Sequence, residues 1–302
     1  MAEQQKQTAL VKRETVDSVM TKVKQFQDRG ELFFPTNYVP ENALKSAWLV
    51  IQETQDRNKK PALSVCSKES IANALLSMVI QGLNPDKKQC YFIVYGTKLV
   101  MQRSYFGAMA VAKSADETIE ELYPMVIYEG DKFKYTIKRG KKILTEHEQD
   151  FANVDKSKIV GAYCNVVRVD GSEELTVMTL AEIKQSWKKS QMNPVDEKGN
   201  IKKGSTHDEY MADMCMKTVI NKACKLVINA SDDSNIVVNI ARQNDVDNAE
   251  AEAEAEIEEN ANTEVIDVEY EQVEEVPDIP EEDMPEVFKE QEEKPKTKSR
   301  GF

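Results

Sequence analysis

The sequence predicts an α+β fold in which antiparallel β-hairpins pack with helices. Two observations favour this class. Apolar residues recur at helical spacing in several segments. Runs of aromatic and β-branched residues meet at tight turns, such as those at Gly96 and at Asp170-Gly171. At 302 residues the chain can hold one or two domains and bury a sizeable core.

Three helices are predicted before the first hairpin. In residues 15–27 the apolar positions follow i, i+3, i+4 and i+7 spacing. The helix after Pro40 carries Trp48 on an apolar side, where core packing is favoured over base stacking. The third helix has Ser67 as its N-cap and ends at Gly82.

Residues 82–113 contain the predicted hairpin around which the rest of the fold is organised. Residues 89–95 and 98–103 are predicted strands, and Gly96 supplies the turn between them. The hairpin combines basic, amide and phenol side chains. This combination suits the binding of single-stranded DNA, which needs phosphate neutralisation and base stacking. A half-buried hairpin with a solvated polar face explains the composition equally well. The basic, amide and phenol groups of the hairpin are Lys87, Lys88, Gln89, Tyr91, Lys98, Gln102, Arg103 and Tyr105.

Two more hairpins and two basic helices are predicted in the second half. The hairpins turn at Arg139-Gly140 and Asp170-Gly171. A capping box from Thr179 to Glu182 opens the first helix, and the second spans residues 208–227. Residues 191–206 between them form either a flap over a charged ligand or a simple connector. The first helix carries Trp187, Lys188 and Lys189. For the lysines of the second helix, contact with a polyanion is favoured over a solvated face, and these residues are Lys217, Lys222 and Lys225.

The net charge of −13 is unevenly distributed. Residues 243–302 carry 22 acidic and five basic residues, whereas residues 1–242 carry 31 acidic and 35 basic residues. A mildly basic body with an acidic tail is a recurring layout in nucleic-acid binders. We therefore predict a binding domain over residues 1–242 and a disordered tail over 243–302. The tail has two possible roles. It either solvates the protein, or it docks a partner protein or competes with DNA for the basic binding groove.

Several enzyme classes lack their sequence signatures here. No P-loop motif, nucleophile elbow or zinc-ligand spacing occurs, so we expect no catalytic centre, no metal site and no use of ATP. Five cysteines without a Cys-x-x-Cys pair indicate reduced core thiols. The chain shows no signal peptide and no run of 18 apolar residues. A cytoplasmic protein without a membrane partner is expected.

Three ordered blocks carry a resemblance to a known family. The first is GLNP with QCYFIVYGTKLVMQ and SYFGAMAVAKS, the second is HEQDF with IVGAYCNVVRVDG, and the third is MCMKTVINKACK. Together they resemble the RecT family of phage-type single-strand annealing proteins over roughly residues 10–235. Tyr210 stands where relatives are expected to carry another aromatic anchor, often Trp, which leaves the local packing open.

The resemblance implies a function and a set of partners. It implies binding of single-stranded DNA and annealing without ATP, in recombination and repair within a bacterial host cell; magnesium would only modulate annealing. It implies a core similar to that of the Rad52 and Red beta annealing proteins, and assembly of identical chains into rings or helical filaments. The partners that it implies are annealed duplex, a phage exonuclease and a host single-strand binding protein. Passive protection of single strands is the alternative. The resemblance adds Lys113, Trp187, Lys188 and Lys189 to the residues expected at the DNA.

Overall fold

The computed structural model describes residues 2–188, 194–231 and 235–260, without the side chains of 2–13, 252 and 255–260. These ranges contain nine helices and seven strands, which confirms the predicted α+β class. The helices are α1 (Ala2–Asp28), α2 (Pro40–Glu53), α3 (Ala62–Val65), α4 (Lys68–Ile80), α5 (Tyr105–Ala115), α6 (Leu180–Lys188), α7 (Thr206–Glu209), α8 (Met211–Ala230) and α9 (Ile236–Asn260). The strands are β1 (Cys90–Tyr95), β2 (Lys98–Arg103), β3 (Ile119–Tyr128), β4 (Lys132–Lys138), β5 (Lys141–Glu148), β6 (Ile159–Arg168) and β7 (Glu173–Thr179).

The strands form three antiparallel sheets. Strands β1 and β2 make one hairpin, β4 and β5 make another, and a three-stranded sheet has the order β3-β6-β7. The turns between paired strands contain glycines with positive φ, at 54° for Gly96 and 76° for Gly171. Glycine adopts this backbone conformation without the steric cost of a Cβ. The three predicted hairpins are therefore confirmed.

The three-stranded sheet is covered on both faces. Helix α8 packs on β3 and β6, and its buried Val219 and Cys224 share one apolar core with Leu122 and Cys164. On the opposite face the β4–β5 hairpin brings Phe133 against Tyr163, with ring centroids 5.4 Å apart. Because one face is held by a helix and the other by a hairpin, α8 has a fixed position on the sheet.

Helices α2 and α4 support the β1–β2 hairpin, which we call the central hairpin. The Ser67 hydroxyl accepts a hydrogen bond from the Ser70 N–H at 3.1 Å, which confirms the predicted N-cap of α4. The Ser70 hydroxyl in turn accepts from the Leu99 N–H of β2 at 3.1 Å. Trp48 is fully buried, so the core interpretation of that residue is confirmed. The hairpin is thus tied to a rigid helical base.

Helix α9 changes the predicted domain boundary. The side-chain amides of Asn244 and Asn248 donate to the Met101 carbonyl of β2 at 2.9 and 3.2 Å, and Ala251 packs with Val100. The compact unit reaches Glu259. The expected start of disorder at residue 243 is therefore wrong, because alanine has high helix propensity and one face of α9 is buried on the hairpin. Residues 261–302 lie outside the described ranges, and their disorder stays a prediction.

Two other segments differ from the predicted boundaries or are only partly described. The helix expected over residues 208–227 is divided into α7 and α8 at Tyr210, whose φ and ψ are −115° and 46°. In the loop before it, Val195 and Ile201 form an isolated antiparallel bridge. Residues 189–193 lie outside the described ranges, so the choice between flap and connector is not decided.

The cysteines match the prediction of core thiols. All five are free, and four of them are buried. Burial raises the pKa of Cys90 and of Cys164 to about 12, so these thiols carry a proton at neutral pH.

Within the described ranges, no helix is both long and apolar enough to cross a membrane. The described residues also contain no group of three or more His, Cys, Asp or Glu side chains that could hold a metal ion.

Substituting Gly107 by alanine should destabilise the fold. A Cβ on this residue would lie far inside van der Waals contact with the Gln89 carbonyl oxygen, which is fixed by the Ser104 N–H at 2.9 Å. We expect Gly107→Ala to lower the free energy of unfolding by about 2–3 kcal/mol in urea denaturation. The control Ser114→Ala, at an exposed position of the same helix, should change it by less than about 0.5 kcal/mol. Equal stabilities would contradict the close packing of α5 on the hairpin.

Candidate nucleic-acid interface

A groove runs along α8, and we call it the α8 groove. Its first section is a cavity of about 460 Å³ between α8, α6 and α7, and its second is a cavity of about 280 Å³ between α8, β2, α5 and α9. Both sections are lined by Asn221 and Lys225, so they adjoin each other along α8. The groove therefore connects the second-half helices with the central hairpin.

One side of α8 supplies the cations of this groove. Lys217, Asn221 and Lys225 lie four residues apart, and Lys222 lies four residues after Thr218. Residues at this spacing share one face of a helix. The buried residues Val219 and Cys224 lie on the opposite side, facing the sheet. The three predicted lysines of α8 are thus brought together on one side of a helix whose other side is packed on the sheet.

Trp187 forms the apolar wall of the first section. Its side chain is only 4% exposed, and its indole N–H donates to the Thr218 hydroxyl at 2.8 Å. The ring of His207 meets it edge-on, with centroids 4.7 Å apart. A ring this deeply buried has little surface left for a base to stack on. Trp187 therefore shapes the groove wall, and its contact with DNA stays a prediction.

His207 is buried beside a positive charge. It is 3% exposed, and its Nδ1 has no hydrogen-bond partner among the described residues. Burial lowers the pKa of the imidazole, and the charge of Lys217 lowers it further. The ring is therefore neutral at pH 7, and it adds no charge to the groove.

The central hairpin borders the second section through Gln102. Tyr91 lies directly opposite Gln102 in the β1–β2 register. Side chains of directly opposed residues project from the same face of a sheet. Tyr91 is partly exposed, so an aromatic ring stands beside the amide at the end of the groove. Gln102 therefore lines the same section as Lys225, and Tyr91 lies beside Gln102 on one face of the hairpin.

Arg103 is a structural residue in this conformation. Its side chain is only 8% exposed, and the guanidinium donates to the Gln81 side chain at 2.8 Å, the Ala241 carbonyl at 3.2 Å and the Asp245 carboxylate. These groups belong to the segment after α4 and to α9. Although Arg103 borders the second section, its guanidinium is already satisfied by protein groups, and we do not assign it to DNA.

Two more predicted cations are paired with carboxylates. The Lys98 ammonium lies 2.8 Å from Glu254 of α9, and the Lys113 ammonium lies 3.0 Å from Glu121 of β3. Hydrogen bonding and the charge of Lys113 help to hold the pKa of Glu121 below its usual range. Neither lysine lines the α8 groove. Contact of either with DNA would require the loss of its ion pair.

The remaining predicted residues lie outside the groove lining. Lys87 and Lys88 are exposed in a short turn, and the Gln89 side chain accepts the Asn84 N–H at 3.0 Å. Tyr105 packs against the ring of Phe106, with centroids 4.1 Å apart. Lys188 is exposed at the end of α6, and Lys189 lies outside the described residues. DNA contact by these residues stays a prediction.

Sequence reasoning missed several residues of the groove lining. Asn221 and Thr218 could have been found, because they share the helical face of the predicted lysines. Asp245 and Asn248 reach the second section from α9, which the sequence assigned to a disordered tail. His207 carried no local signal, since it lies in a four-residue helix after a long loop.

Removing the Arg103 guanidinium should weaken the fold. We expect Arg103→Ala to lower the free energy of unfolding in urea by about 2–3 kcal/mol, less than for a fully buried ion pair because Asp245 is 38% exposed. The matched control is Lys98→Ala, which removes a hairpin cation whose pair with α9 has exposures of 55% and 59%. This control should leave the free energy of unfolding nearly unchanged, because an exposed ion pair contributes little to stability. Equal losses would show that burial of Arg103 contributes nothing.

The stability of the protein should fall below about pH 6.5 through His207. The unfolded chain binds a proton near that pH, whereas the folded state resists protonation because its pKa is lowered. The unfolded state then binds more protons, so acid favours it, by at most about 1.4 kcal/mol per pH unit for one group. Thermal melting at about pH 7.5 and about pH 5.5 should show a smaller difference for His207→Gln than for the original chain. An unchanged difference would exclude His207 as the cause.

Comparison with known proteins adds an independent finding to this geometry. No curated protein matches the chain. The model of the RecT family matches residues 41–264, which is well over half of the chain. The match begins in α2 and contains the central hairpin, α8 and α9. The chain belongs to the RecT family.

Proposed function

We propose that this chain anneals complementary single strands of DNA without ATP, in homologous recombination and repair. The observation that carries the proposal is the α8 groove, where Lys217, Lys222 and Lys225 line a cavity with an apolar wall. Cations beside apolar and aromatic side chains are the combination that binds single strands without reading their sequence. Membership of the RecT family supports the same substrate.

In this proposal the first strand lies along α8 with its phosphates on the three lysines. Gln102 and Tyr91 extend the contact toward the central hairpin. Trp187 and Met214 provide an apolar surface that excludes water without selecting a base. The described lining of the first section contains no carboxylate that would repel the phosphates.

Annealing requires that the bound strand can still pair. A strand held by its backbone keeps its Watson–Crick edges available to a second strand, and base pairing and stacking then supply the free energy. No nucleotide hydrolysis is needed for this step, which agrees with the lack of a P-loop motif in the sequence. Magnesium would then modulate annealing through the charge of the DNA.

The proposal includes an assembly and partners. Side-by-side copies of the chain in a ring or helical filament would join their grooves into one track for a long strand. An exonuclease that exposes single strands and a host single-strand binding protein would act before annealing, in the bacterial cytoplasm. The acidic residues beyond 260 are the segment proposed to dock such partners.

The direct test mixes two complementary oligonucleotides, each labelled with one dye of an energy-transfer pair, and no nucleotide. Annealing activity predicts that duplex forms faster with the protein than without it. Slower duplex formation would indicate passive protection of single strands. A requirement for ATP would contradict the mechanism. Intact strands on a denaturing gel after incubation with magnesium would exclude a nuclease.

Neutralising the α8 lysines should weaken binding and flatten its salt dependence. For Lys217→Ala, Lys222→Ala and Lys225→Ala together, loss of three phosphate contacts should reduce the slope of log K against log salt by about 2. Fluorescence anisotropy with unrelated labelled oligonucleotides measures both quantities. The matched control neutralises three exposed lysines away from the groove, Lys22, Lys24 and Lys68. An equal loss in the control, or a loss restricted to one DNA sequence, would contradict the assignment.

A further inference from the structure

The tip of the β4–β5 hairpin concentrates positive charge. Its two turn residues, Arg139 and Gly140, have φ values of 51° and 81°, and Lys138 lies directly opposite Lys141. Lys142 follows, so four of the five residues from 138 to 142 are cationic. We call residues 138–142 the basic tip.

This arrangement is unfavourable for the isolated protein. Like charges placed directly opposite each other destabilise an antiparallel pair. The first turn position favours asparagine or glycine, because other residues adopt a left-handed backbone with strain. Lys141 has a partner in Glu174 at 3.4 Å, but Lys138 and Arg139 form no ion pair with any described residue. A bound anion would relieve this repulsion.

The half of the hairpin next to the basic tip leaves apolar and aromatic side chains exposed. Phe133 lies on Tyr163, but Tyr135 and Ile137, further along β4, are 42% and 64% exposed. The Lys142 ammonium lies 5.6 Å from the centre of the Tyr135 ring. Exposed aromatic surface among free cations is the chemistry that binds a nucleic-acid strand.

The basic tip and the α8 groove both border strand β7. Lys141 of the tip pairs with Glu174 of β7, and Met178 of β7 lines the first section of the groove. Glu182, at the start of α6, has its pKa lowered by hydrogen bonds from Thr179 and then by the charges of Lys222 and Lys142. Lys142 belongs to the basic tip, and Lys222 lines the first section of the groove. Lys142 of the tip and Lys222 of the groove thus both act on the charge of one carboxylate, Glu182, which follows β7.

We propose that the basic tip binds the sugar-phosphate backbone of the second, incoming strand while the first strand lies in the α8 groove. This inference rests on the proposed annealing function. The groove already has its own lysines for the first strand, whereas residues 138–142 do not belong to its lining. An exposed cationic turn can contact a strand that approaches from solvent, and it would hold that strand while its bases pair with the first strand.

The test variant combines Lys138→Thr with Arg139→Asn. Threonine suits a strand, and an Asn-Gly turn suits this hairpin better than Arg-Gly, so the melting temperature should stay equal or rise. Affinity for a first labelled strand, measured by anisotropy, should change by less than about twofold, since the groove is intact. The rate of annealing when a second strand is added to the preformed complex should fall at low salt. Its salt slope should flatten by about 1.4, for two lost phosphate contacts.

The matched control is Lys59→Asn with Lys60→Thr. Lys59 also has a left-handed backbone, with φ of 61°, in an exposed turn that lines neither section of the groove. This control should anneal like the original chain. The single variant Arg139→Asn, which keeps Lys138, should show an intermediate effect without loss of stability.

Each alternative outcome overturns the inference in a recognisable way. Unchanged annealing would exclude the basic tip from strand capture. A parallel fall in first-strand affinity would place the tip in the first-strand path. Equal effects in the control would indicate dependence on net charge alone. Original protein that binds no single strand, or does not anneal, would refute the proposed function together with this inference.

Discussion

The guanidinium of Arg103 joins three parts of the chain that are distant in sequence. It bonds the end of β2 to Gln81 after α4 and to Asp245 and a carbonyl of α9. A buried guanidinium needs such partners, because an unpaired buried charge is very costly. The position of α9 therefore depends on this contact, and so does the wall that α9 gives to the α8 groove.

The rest of the interface is arranged around that fixed point. The sheet fixes α8 from one side, and its opposite side is left to carry Lys217, Lys222 and Lys225. Helix α9 closes the second section with Asp245 and Asn248, so an acidic helix limits the groove where the central hairpin ends. Lys217, Lys222 and Lys225 of α8 and two cations of the β4–β5 turn, Lys138 and Arg139, form no ion pair with a described residue. Lys98 and Arg103 of the central hairpin, in contrast, are both paired with α9.

Local features of the fold could be predicted from the sequence, because each is specified within a few residues. The Ser67 cap and the capping box at Thr179 are examples, since both bonds span three residues. The partner of Arg103 could not, because Asp245 is 142 residues away and nothing nearby indicates it. The resemblance placed Trp187 at the DNA, but its burial depends on the long-range contact with α8. In α9, the scarcity of apolar residues suggested disorder, whereas Asn244 and Asn248 are buried on the hairpin through hydrogen bonds that the local sequence does not indicate.

The hydrogen bonds from α4 and α9 to β2 have a consequence for how copies of this chain can join. The outward backbone groups of β2 at Leu99 and Met101 are already occupied, by the Ser70 hydroxyl and by the two asparagine amides. An unoccupied strand edge is a template on which another strand can add. A neighbouring subunit could thus lengthen this two-stranded sheet only beside β1, which limits the geometries open to an assembly built by strand addition at the hairpin.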